Sequence, residues 1–112
     1  MASDFAELDR LMQSLDSDVD AMRRCGAQLA ENERDYRVAL RSEILRERAD
    51  GTPVTIIGDI CRGKKPIADK RLARDSAEAL YKAQIEAINV KKLKLRLIEA
   101  QIEREWGQAG RM

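Results

Sequence analysis

An all-α fold, an antiparallel helical hairpin with a short helix at its tip, follows from three features of the sequence. Both prolines fall within one short connector, Gly51 to Pro66, together with Gly51 and Gly63 as natural helix stops. On either side of it the pattern is long, charged and helical, with apolar residues recurring at steps of three and four. The composition is that of long helices rather than a two-layer globule: 37% of the residues are charged and only 4% aromatic.

The first helix is expected over 3–50. Ser3 is placed to cap it, and Asp4 and Glu7 in the first turn complement the helix dipole. Phe5, Leu8, Met12, Leu15, Val19, Met22, Gly26, Leu29, Glu33, Tyr36 and Leu40 trace a heptad seam along it. Gly26 and Glu33 are its flaws; at Gly26 either a partner approaches closely or the helix is locally weak. The stretch Ser14 to Asp20 is rich in residues that compete for backbone hydrogen bonds, so a bend or break between Ser14 and Gly26 is the alternative to one continuous helix.

Gly51 suits a left-handed C-cap after Asp50. Thr52 as N-cap and Pro53 at the first helical position then start a short cross-helix over 53–62, with Val54, Ile56, Ile57 and Ile60 as its apolar face. A strand over 54–57 is the rival, because β-branched residues dominate, but no partner strand is in sight.

The last helix is expected to begin at Lys65, Pro66 or Ile67 and to run to Trp106, with Gly107 and Gly110 stopping it before a tail over 108–112. Tyr81, Ile85, Ile88, Leu95, Ile98, Ile102 and Trp106 share one face of it. Leu72, Ala79, Ala83, Val90, Leu93 and Leu97 share the nearly opposite face. A helix apolar on two sides needs two partners. The first helix supplies one, so the second face is the expected oligomer interface, in a homodimer or larger helical bundle, or the seat of a bound protein. Trp106 is expected in the core against Phe5 and Leu8.

Charge agrees with antiparallel pairing. Residues 1–31 hold seven acids and three bases, and Lys91, Lys92, Lys94 and Arg96 lie on the helix that folds back beside them. The net charge of +1 argues against a dedicated polyanion binder. One basic cluster has no acidic strip assigned to it: Arg62, Lys64, Lys65, Lys70, Arg71 and Arg74, grouped around a helix start. Free N–H groups there favour anions, so these six residues are the candidate site for a phosphate-bearing ligand or nucleic acid. Asp59, Asp69 and Asp75 dilute the cluster and no aromatic residue interleaves it, so a solvated tip is the plainer reading.

Catalytic chemistry finds little footing. With no His, the chain lacks the commonest general base and metal ligand. Gly58 to Gly63 has the outer glycines of a phosphate loop without the Gly-Lys-Ser/Thr that does the binding. Asp16, Asp18 and Asp20 lack the glycine and terminal Glu of a calcium loop. No catalytic residue, metal or cofactor is therefore expected. Cys25 and Cys61 lie roughly 37 Å apart along a hairpin arm, too far for a disulfide, and read as free thiols of a reducing compartment. Cys61 is expected as a buried small hydrophobe rather than a nucleophile. The acidic N-terminus carries no signal-peptide pattern and no apolar run approaches membrane-spanning length, so a cytoplasmic protein without membrane association is expected.

The second half resembles small helical proteins of bacteriophages and prophages, encoded among early or recombination genes. The residues that carry the resemblance are Gly-Thr-Pro-Val-Thr-Ile-Ile-Gly-Asp (51–59), Arg-Gly (62–63), Ala-Asp-Lys-Arg (68–71), Arg-Asp-Ser-Ala-Glu-Ala-Leu-Tyr-Lys (74–82), Glu-Ala-Ile-Asn (86–89) and Ile-Glu-Arg-Glu-Trp-Gly (102–107). It covers about residues 33–107 and leaves out the acidic first 30. It implies a phage origin and a role in handling host or phage DNA machinery, with no assigned activity or functional residues. The function expected is that of a non-enzymatic interaction protein that modulates a host or phage protein of DNA metabolism or defence, with anion or nucleic-acid binding at the basic tip as the alternative.

Overall fold

The computed structural model describes residues 2–110, and among them only helices occur: α1 (Ala2–Ala49), α2 (Val54–Gly63) and α3 (Lys65–Gly110). The chain divides into two compact units, residues 1–23 with 82–112, and residues 24–81.

In the second unit, α1 ends as its sequence dictates. Gly51 has φ 87°, its N–H donates to the Arg48 carbonyl at 3.1 Å, and the Thr52 N–H donates to the Glu47 carbonyl at 3.0 Å. That pair of bonds is the Schellman closure, which satisfies the last carbonyls of the helix. Thr52 does not cap α2. Its hydroxyl turns back and donates to Glu47 of α1, and Pro53, with ψ 137°, is the residue that precedes the helix. The β-branched run therefore forms a helix, Val54–Gly63, not a strand.

Only Ile57 and Cys61, one turn apart, point inward from α2; Val54, Ile56 and Ile60 are exposed. The expected four-residue apolar face is thus split, because the inward side of so short a helix is a single i, i+4 row. Lys64, extended at ψ 135°, is the one residue between α2 and α3. Its carbonyl accepts from Ile67 and Ala68 to start α3. Pro66 then falls in the first turn, where no N–H is needed.

The core of this unit is Tyr36, Ile57, Cys61, Ile67 and Ala77. α2 contributes Ile57 and Cys61 to it, α1 Tyr36, and α3 Ile67 and Ala77. Cys61 is fully buried and both cysteines are free thiols. Gly26 has a packing reason: a Cβ there would sit 3.3 Å from the Tyr81 ring, so the glycine admits the ring against the α1 backbone.

In the first unit, Ile88 is buried and Leu8, Leu15, Val19, Met22, Ile85, Leu95, Ile98 and Ile102 are half-buried, as their spacing predicts. α1 runs unbroken through Ser14 to Gly26, in line with the expected continuous helix. Two expectations about the helix ends change here. α1 is already helical at Ala2, so Ser3 lies inside the helix and is no cap. α3 continues past Gly107 to Gly110, because a glycine stops a helix only when it turns left-handed, and among the described glycines only Gly51 does.

Trp106 is 58% exposed and Phe5 46%, not packed in a core. The seam advances 3.5 residues per turn, so after Ile102 the inward position is Glu105, and Trp106 is rotated about 100° away. The same phase turns Asp4 and Leu11 inward in place of Phe5 and Met12.

Two substitutions test this construction. Gly51→Val forces a β-branched residue into the left-handed region and is expected to lower unfolding free energy by about 1–2 kcal/mol. Ile67→Ala, at a core site 2% exposed, is expected to cost about 2–5 kcal/mol. Denaturant midpoints with an unchanged m-value check both.

Candidate interaction surfaces

The seam between α1 and α3 is held by polar pairs as well as by apolar packing. In the first unit the Lys91 ammonium donates to Ser14 Oγ and to the Asp18 carboxylate, and Gln84 donates to the Asp18 carbonyl at 3.4 Å. In the second unit Arg74 lies 3.4 Å from Glu33 and over the Tyr36 ring, 4.6 Å from its centroid. Asn32 donates to the Ala73 carbonyl at 3.2 Å. Nearer the connector, the Lys64 ammonium donates to Glu43 at 3.0 Å and to Glu47. Glu43 and Glu47 are 15% and 17% exposed, so this cluster is largely withdrawn from water.

The charge state of the cluster follows from its bonds. Hydrogen bonding from Lys64, then from Thr52, holds the Glu47 carboxyl below the usual carboxylate range. The bond from Lys64 does the same for Glu43. In return Glu47 first, then Glu43, push the Lys64 ammonium up. Glu33 is held down chiefly by Arg37, with Arg74 adding to it.

These contacts redistribute the basic cluster. Arg62 sits in the last turn of α2, where a cation suits the helix dipole, and lies 3.3 Å from Asp59. Lys64 is taken by Glu43 and Glu47, Lys65 by Asp69 at 2.7 Å, and Arg71 reaches Asp75 at 3.9 Å. Arg74 is shared between Asp75 at 2.8 Å and Glu33. Lys70 alone of the six is exposed without a carboxylate among the described residues. The cations expected to face outward together are matched one by one, mostly by acids a turn away on their own helix. Spacing within α3 makes the Lys65–Asp69 and Arg71–Asp75 pairs legible; the Lys64 and Arg74 pairs need the opposite helix.

The outer face of α3 is uncovered in each unit. In the first, Ala83, Val90, Leu93 and Leu97 are exposed, the last three by 50%, 55% and 61%. In the second, Leu72, Ala79 and Leu80 are exposed. The described residues contain no group of acids and cysteines able to hold a metal ion, and no helix is long and apolar enough to cross a membrane.

The Lys64 cluster yields a pH test against a Lys64→Met variant. The two carboxyls titrate lower when folded, so what they contribute is present above their ordinary value of 4.5 and is lost as pH falls through the depressed values. The ammonium titrates higher when folded, so its share is present below 10.5 and is lost as pH rises through the raised value. The thermal midpoint of the wild type is expected to exceed that of Lys64→Met between those limits and to converge on it at both extremes.

Comparison with protein-family models, with curated proteins and with solved structures gave no match.

Proposed function

We propose that this is a non-enzymatic helical interaction protein. In this reading α1 and α3 form one antiparallel hairpin with α2 at its tip, and the chain self-associates. Its helical surfaces bind and modulate a host or phage protein of DNA metabolism or defence, a role in keeping with the phage resemblance. The supporting observation is the uncovered apolar face of α3. Val90, Leu93 and Leu97 repeat at helical spacing on the side away from buried Ile88. Exposed apolar residues scattered singly are ordinary, but a periodic row of them on one helix face marks a surface that another helix covers. Packing of that kind is helix-in-groove recognition, with anchors at i, i+3 and i+7.

Two measurements test the reading. Light scattering at micromolar concentration is expected to give a mass above 12.7 kDa. Capture of a host or phage protein by the immobilised chain is expected to weaken about tenfold or more in a Leu93→Asp/Leu97→Asp variant of unchanged helicity, since docking then buries unpaired carboxylates. A chain that stays at 12.7 kDa and captures nothing in either form overturns it.

A further inference from the structure

We propose that a groove in the first unit, separate from the outer face of α3, is the seat of a second copy of this chain, docked about a two-fold axis as a four-helix assembly. The inference rests on the self-association in the reading above and assigns it a surface.

The groove has a volume of about 460 Å³ and opens between the two helix segments of this unit. Met12, Val19 and Met22 of α1 and Ile85 and Leu95 of α3 line it. Such a lining suits a packed helix: the aliphatic side chains give area, and the two methionines adapt to an irregular partner. Met12 is 49% exposed, and Phe5, seven residues before it on the same side of α1, is 46% exposed. The apolar surface therefore continues beyond the groove along α1.

Charge decides the occupant. Exposed Asp16 stands on the α1 wall, and exposed Asp9 lies seven residues before it, on the same side of the helix. Exposed Lys92 stands on the α3 wall, exposed Arg96 lies one turn on, and exposed Glu99 and Glu103 follow on that side beyond the groove. None of Asp9, Asp16, Lys92 and Arg96 has an ion-pair partner among the described residues, whereas Asp18 and Lys91, in the seam, pair with each other. Inside the groove the α1 wall thus carries an acid, Asp16, and the α3 wall a base, Lys92, and neither is neutralised within the unit.

A partner helix of single sign would match one wall and be repelled by the other. A second copy turned about a two-fold axis lays its α1 on this α3 and its α3 on this α1. Asp16 of each copy then meets Lys92 of the other, and the match is made twice. The near-neutral net charge of +1 leaves no long-range repulsion to oppose it.

Reversal of one wall at a time tests this in the full chain. Asp9→Lys/Asp16→Lys makes both walls basic, and Lys92→Asp/Arg96→Asp makes both acidic. Each variant alone is expected to sediment as a monomer with unchanged helicity. An equimolar mixture is expected to restore a 1:1 dimer, which a merely misfolded variant does not do. The Leu93→Asp/Leu97→Asp variant is expected to remain dimeric. A dimer that survives both reversals and is lost only in the Leu93→Asp/Leu97→Asp variant overturns the groove assignment and leaves the interaction reading standing. A wild-type chain that stays monomeric at about 100 μM, far above the dissociation constant of a stable dimer, overturns both.

Discussion

A helix packed against one other helix covers a stripe of its circumference only a little over 100° wide. Over most of their length α1 and α3 meet that limit in each unit, and the rest of the structure depends on it. The buried apolar set is short, Tyr36, Ile57, Cys61, Ile67, Ala77 and Ile88, and all but Ile88 lie in the unit where α2 supplies a third helix. Apolar residues in excess of the seam have nowhere to go. That is why Leu72, Val90, Leu93 and Leu97 on α3, and Ile56 and Ile60 on α2, remain in solvent.

A seam so narrow also changes what polar side chains can do there. Asp18, Glu33, Glu43 and Glu47 would be poor choices for a thick core, where desolvation outweighs the gain from pairing. At a two-helix seam they keep partial access to water and meet Lys91, Arg74 and Lys64 from the other side. Apolar contacts of similar size tolerate a shift of one turn, but a carboxylate facing an ammonium does not. Polar seam positions of this kind specify register in coiled coils at some cost in stability. Lys64 has a further part, since one residue both joins α2 to α3 through its extended backbone and ties that junction to α1 through its side chain.

Uncovered surface and paired charge together shape the functional reading. Five of the six cations around the connector already have a carboxylate, which removes much of the net field that a polyanion would need. The apolar face of α3 and the two-signed groove of the first unit have no such internal partner. Both suit protein helices, and they differ in what they ask of one: the α3 face asks for apolar spacing, the groove for two walls of opposite sign.

Helix content, the break at Gly51 and the two-sided character of α3 were determined by the sequence alone. They rest on local chemistry: a glycine where φ must be positive, prolines at helix starts, and apolar residues at helical spacing. The inner row of α3 from Tyr81 to Ile102 was legible for the same reason. Only the tertiary structure decided the phase at the helix ends. A seam that advances 3.5 residues per turn through Ile98 and Ile102, and through Leu8 and Leu15, brings Asp4, Leu11 and Glu105 inward and leaves Phe5, Met12 and Trp106 outside. A reading that scores apolar residues prefers the tryptophan at that position; the register set across the seam does not. The fate of the basic cluster was tertiary as well. Lys64 and Arg74 look like free cations in a list of residues, and become seam partners because the opposite helix places Glu43, Glu47 and Glu33 beside them.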